Sequence, residues 1–279
     1  MNTTARLAVF GGALALLAAG GFVVGKAAGP VATAAAEEAG HGGGHAETTT
    51  EIGLPGGLAS SQDGYTFADP VAEAGRFSFR ITGPDGRPVT AFDVEHEKKL
   101  HLIVVRRDTA GFRHVHPEPA PDGTWSVPLA LPAAGSYRAF ADFAPTGGKP
   151  MTLGVDLSVA GDYRPATFAP SRVATVDGYR VELAGDLTAG KTSPLTLTVS
   201  RAGVPVTDLQ PYLGAYGHLV ALRGGDLAYL HVHPESGPGA GPEVRFAAEV
   251  PSAGTYRLFL DFRHGGVVRT AEFTVATGH

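Results

Sequence analysis

The chain has 279 residues, 43% of them apolar and 18% charged, with a formal net charge of −5. That suits one large core or two of ordinary size and leaves no basic surface with which to grip nucleic acid. Cysteine is absent and methionine occurs only at Met1 and Met151, which excludes disulfides, thiolate zinc sites and thiol nucleophiles and disfavours a thioether-rich cuprous copper site.

In chain order, Leu7 to Gly25 form a run of 19 residues without charge between Arg6 and Lys26, long enough to cross a bilayer as one helix. Such a run predicts export. The small residues of VATAAAEE (31 to 38) offer a cleavage site, but a cleaved hydrophobic region is usually shorter, about 7–15 residues. Residues 1–28 are therefore read as a signal-anchor in preference to a signal peptide, with the rest of the protein extracytoplasmic, anchored to the cytoplasmic membrane or secreted. Residues 29–60, including AAAEEAGHGGGHAETTTE, read as a disordered tether. His41 and His45 in that tether are taken as compositional drift rather than a scavenging site for metal.

The remainder is one domain written twice. DGY recurs at 63 to 65 and 177 to 179, HLIVVRRDTAGFRHVHPE from His101 recurs as HLVALRGGDLAYLHVHPE from His218 at an offset of 117, and LPAAGSYRAFADF (131 to 143) recurs as VPSAGTYRLFLDF (250 to 262) at an offset of 119. Alternation and turn residues predict strands FSFRIT, PVTAF, LHLIVVR, FRHVH, TWSVPLAL, SYRAFADF and TLGVDLSV in the first copy. The second yields YRVELAG, PLTLTVS, HLVALR, AYLHVH, VRFAAEV, TYRLFLDF and VRTAEFTV. About seven short strands per ~100 residues predict an all-β chain of two tandem immunoglobulin-like or cupredoxin-like sandwiches, at 61–162 and 172–277. Trp125 is expected to be a core or edge packing residue rather than part of a site.

Each copy carries His, twelve residues, His, one residue, His, Pro, Glu: His101, His114, His116 and Glu118, then His218, His231, His233 and Glu235. Side chains two apart on a strand share a face. A hairpin turning at Asp108-Thr109 or Gly225-Asp226 pairs residues whose numbers sum to 217 or 451, so His101 is expected to face His116 and His218 to face His233, with His114 and His231 beside them. Three converging imidazoles suit Zn(II) or Cu(II) at N–metal distances of ~2.0–2.1 Å. A fourth ligand is sought in water, Glu118, Glu235 or another strand, His264 being favoured in the second copy. Pro117 and Pro234 are expected to end their strands at once, Asp142 and Asp261 could orient a histidine but are read in preference as edge aspartates in a turn, and His96 in EHEKK is expected to be solvated. Whether the two motifs make separate sites or share one across a pseudo-twofold is left open.

No catalytic inventory is found: the histidine spacings do not match those of a copper-zinc dismutase or a cupin, no cysteine is available for blue copper, and no nucleophile elbow occurs. The chain is read as not an enzyme. HLIVVRRD-x-x-GF-x-HVHPE followed by DGTWSVPL and AGSYR-x-F-x-DF resembles exported bacterial proteins described as hypothetical or heavy-metal-binding, over residues 60 to 277. The resemblance implies copper or heavy-metal handling at the cell envelope with these histidines as ligands; a metal ion, the membrane through the N-terminal helix and an envelope metal transporter are the expected partners. The alternative is an immunoglobulin-like interaction module with structural histidines.

Overall fold

A computed structural model describes residues 54–278 except 132, 231 and 236–238, all within one compact unit, Ile52–His279. The apolar run at Leu7 to Gly25, both tether histidines, His231 and His279 lie outside the described residues. Among the described residues no helix is long and apolar enough to cross a membrane, and every element is a strand.

The first repeat comprises β1 (Ser61–Gln62), β2 (Tyr65–Glu73), β3 (Arg76–Thr82), β4 (Leu100–Arg106), β5 (Arg113–Val115), β6 (Glu118–Pro119), β7 (Thr124–Pro128), β8 (Gly135–Phe143) and β9 (Met151–Val159). The second comprises β10 (Val173–Val176), β11 (Tyr179–Ala184), β12 (Lys191–Arg201), β13 (Val204–Pro205), β14 (His218–Arg223), β15 (Tyr229–Leu230), β16 (Val232–Glu235), β17 (Glu243–Val250), β18 (Thr255–His264) and β19 (Val267–Ala276). Sheet β1-β2-β3-β7-β6 packs on sheet β5-β4-β8-β9, and β10-β11-β12-β17-β16 packs on β15-β14-β18-β19. This is an immunoglobulin-type division of strands, with one strand added beside the third. Each repeat also has the tyrosine that pins the corner before its penultimate strand: Tyr137 donates to Ala133 O at 2.8 Å and Tyr256 to Ser252 O at 2.6 Å.

Two expectations are corrected. PVTAF forms no strand and makes only isolated bridges at Pro88 and Phe92; conversely β2 was hidden because Asp69, at φ 51, and the following Pro70 break its alternation, shifting the register between Ala68 and Val71. The end of the presumed tether is also ordered. Gly57 donates to Thr152 O and Gly56 O accepts from Tyr229 N. A side chain at Gly57 would strike the Phe140 ring at 2.4 Å, and its φ of +74 suits glycine.

The strand LHLIVVR is buried along its whole length because it faces two cores. Leu100, Leu102 and Val104 enter the first sandwich, while Ile103 and Val105 turn outward to meet Val220, Leu222, Leu227 and Phe259 of the second repeat. The contact is pseudo-twofold: Phe112 stacks on Phe259 with centroids 4.0 Å apart, and its counterpart Tyr229 lies 5.9 Å from Phe140. Fully burying each such side chain contributes roughly 1.5–3 kcal/mol. Phe259→Ala is expected to cost about 3–5 kcal/mol of stability in denaturant unfolding.

Arginines close one end of this contact. Arg138 donates to Gly57 O and Leu58 O, each at 2.8 Å, and Arg257 donates to Thr274 Oγ1 at 2.8 Å under the Phe168 ring. The repeated YR-x-F-x-DF is thus an interface strand in which arginine, phenylalanine and aspartate project to one face by period two. Its aspartates mark the other end.

Candidate metal centre

At that end His101 lies opposite Asp142 and His218 opposite Asp261. The hairpin registers agree with the sequence reading: Leu102↔Val115 and Ile103↔His114 sum to 217, and Ala221↔Leu230 and Leu222↔Tyr229 sum to 451. His114 therefore shares the junction face with His101 and Ile103. After Val115 the chain leaves this sheet at Pro117 and crosses to the other, where Glu118 pairs with Ser126.

The structure brings His101, His114 and His116 together, one nitrogen from each lying within 4.8 Å of the others. His101 Nδ1 is 3.1 Å from His114 Nε2 and 3.2 Å from His116 Nε2. Their protonation follows from their other partners. A carbonyl only accepts, so the hydrogen of His101 sits on Nε2, which donates to Glu95 O at 3.1 Å. A carboxylate likewise accepts, so His114 donates from Nδ1 to Asp261 Oδ2 at 2.8 Å. Both remaining lone pairs then point at each other across 3.1 Å. Opposed acceptors repel unless a cation lies between them.

His101 and His116 do not supply a proton for that role. Burial first, and the neighbouring His114 second, hold His101 down at about 3 and His116 at about 2. A divalent ion with N–metal distances of ~2.0–2.1 Å in tetrahedral geometry needs nitrogens ~3.4 Å apart, a few tenths of an ångström from the two spacings to His101. The carboxylate that fixes His114 comes from the other repeat, and its second oxygen accepts from Thr270 Oγ1 at 2.5 Å. Asp261 is thus a positioning residue rather than a ligand, and it makes the centre depend on both repeats. Asp261→Asn keeps the hydrogen-bond acceptor and removes the charge; it is expected to weaken metal affinity about 10–100-fold in calorimetric titration, with little change in metal-free melting temperature.

Among the described residues, which do not include His231, the second copy does not repeat the arrangement. His218 Nε2 donates to Tyr212 O at 2.9 Å, the counterpart of the His101–Glu95 bond, and burial holds His218 down at about 4. Its ring stands 6.4 Å from those of His101 and His114. His233, expected to face His218, instead pairs with Ala247 in the opposite sheet, because the chain has already crossed by Val232. There His233 is exposed, with Nε2 3.9 Å from Glu249. Pro234 lies within edge strand β16 instead of ending it, which an edge tolerates. His264 is elsewhere: it accepts from Tyr179 at Nδ1 and donates to Asp208 from Nε2, at 2.6 and 3.0 Å. Glu118 and Glu235 are exposed, and Glu235 lies opposite Arg245.

Beside the triad a cleft of about 610 Å³ opens between the repeats, lined by His96, His101, His114, Asp142, His218 and His233 among others. Sequence reasoning missed that Asp261 serves the other repeat and that His218 sits near the first copy's triad. The signal available for both was the continuous apolar run LIVV within LHLIVVR, which implies a strand covered on both faces.

No curated protein matches the chain. Solved structures similar to it include a two-domain fibronectin type III segment from chicken tenascin, at 13% identity over 76% of this chain and 97% of that one with a TM-score of 0.22. Domains 4 and 5 of the S-layer protein SbsC match at 12% identity over 80% and 92% with a TM-score of 0.23, and a marsupial T cell receptor at 10% over 76% and 93% with a TM-score of 0.23. The family described as Domain of unknown function (DUF8832) matches residues 61–161 and again 174–278, one copy on each sandwich, and the chain belongs to that family.

Proposed function

We propose that the protein holds a divalent metal ion, Cu(II) or Zn(II), on His101, His114 and His116, and that it does so outside the cytoplasm as a tethered metal buffer or carrier serving an envelope transporter. Support comes chiefly from the opposed lone pairs of His101 and His114, 3.1 Å apart, each fixed by a partner that can only accept. Neutral imidazoles suit both metals, and Asp261 against His114 raises the basicity of that ligand. The uncharged run at Leu7 to Gly25 and the resemblance to exported heavy-metal-binding proteins favour the envelope setting. The reading is of binding.

Elemental analysis and calorimetric titration with each metal test it. One tight equivalent per chain, removed by a chelator, is expected. Absence of uptake at micromolar metal would make the histidines architectural and turn attention to a protein partner.

A further inference from the structure

The turn between Glu95 and Lys98 departs from what its residues prefer. Glu95 and Lys98 exchange both backbone hydrogen bonds, at 2.9 and 3.0 Å, and the two residues between them, His96 and Glu97, both lie in the left-handed region at φ 48 and 64. That is the geometry of a two-residue turn usually made from asparagine and glycine. The second repeat builds the same turn from Leu213 and Gly214, at φ 54 and 77, between Tyr212 and Ala215. There a glycine takes one of the strained positions and the leucine is buried. The first repeat holds two ordinary side chains in strained backbone and points one of them, an imidazole, into the cleft. Non-glycine residues kept in this region concentrate at functional sites.

His96 meets a residue of the other repeat. Its ring centroid lies 5.4 Å from that of His218 and 6.1 Å from that of His101. His218 spends its Nε2 hydrogen on Tyr212 O, so its Nδ1 carries a lone pair, as His101 Nδ1 does. His96 is exposed, whereas His101 is 7% exposed. The imidazoles therefore step inward from solvent to the triad, with successive rings 5.4 to 6.4 Å apart.

We propose that His96 and His218 form an outer, weaker position for the same class of imidazole-seeking divalent cation, and that the ion enters the triad from it. The loading role rests on the triad being a metal site; the outer position does not. Transfer is ligand exchange, one nitrogen replaced by another with the metal's charge unchanged.

Titration with Cu(II) alone, followed by electron paramagnetic resonance and by stopped-flow absorbance, distinguishes the two readings. The full-length protein is expected to take one tight and one weak equivalent. His96→Gly, which suits the left-handed backbone, is expected to lose the weak equivalent, keep the tight one at unchanged affinity and load it severalfold more slowly. His114→Ala/His116→Ala is expected to lose the tight equivalent and keep the weak one. A wild-type protein that takes only one equivalent, or a His96→Gly variant that still takes two, overturns the outer position while leaving the triad intact. If the double alanine variant binds as wild type does, the triad reading fails, and the outer position is decided by His96→Gly alone.

Discussion

Replacing His114 and His116 together by alanine is expected to abolish tight binding of Cu(II) or Zn(II), lowering affinity by roughly 10³-fold or more, since each lost ligand costs at least the 10–100-fold that an outer partner costs. One of the three converging nitrogens would remain, that of His101. The same variant separates a metal site from a structural cluster. In metal-free protein the opposed lone pairs of His101 and His114 contribute nothing favourable at 3.1 Å, but His114→Ala also takes the Nδ1 donor from the buried Asp261, so stability without metal should fall by about 1–3 kcal/mol. A structural cluster would show that loss alone, whereas a metal site adds a metal-dependent difference. Metal should stabilise the wild type by about 2.7 kcal/mol at a free concentration of 100 Kd and about 4.1 at 1,000 Kd. The variant should show no such gain. Differential scanning calorimetry with and without metal reads all of these differences.

Much of this centre was legible in the sequence because hairpin geometry is local. The register that places His114 opposite Ile103 follows from the position of the turn and a period of two, and it needs no knowledge of the rest of the fold. The second hairpin was legible to the same extent, through Ala221↔Leu230. It ceased to be so where the chain changes sheets. In the first repeat the crossing comes after Val115, in the second before Val232, and nothing in two copies of HVHPE distinguishes them. A crossing is decided by which neighbouring strand offers free backbone groups, here β7 for Glu118 and β17 for His233. The role of Asp261 was illegible for a related reason: residues 147 apart meet only because two sandwich faces pack, and sequence periodicity says which face a residue occupies but not what covers that face. His96 was correctly expected to be exposed. Its closeness to His218 again depends on the packing of the repeats.

Acid should destabilise the metal-free protein over a window set by these same rings. His101, His116 and His218 are held at about 3, about 2 and about 4 in the folded chain, chiefly by burial, against 6.5 when exposed. A folded value below the unfolded one means that the unfolded chain binds the extra protons between the two. Stability is therefore fully present above about pH 6.5 and falls as the pH drops below it, until the folded rings protonate in turn. With all three contributing, the slope approaches ~4 kcal/mol per pH unit near pH 5, less what solvent screening removes at the two half-buried rings. Urea unfolding at pH 7.5, 6, 5 and 4.5 would show the midpoint moving steadily down. Saturating metal should raise the midpoint without moving the onset, which the unfolded rings set, and should carry the loss to lower pH, because protons must displace a ligand-bound ion to reach the nitrogens of the folded chain. A metal-free midpoint that stays level from pH 7.5 to 5 would mean that the rings are solvated rather than enclosed, and the tautomer argument for the triad would lose its basis.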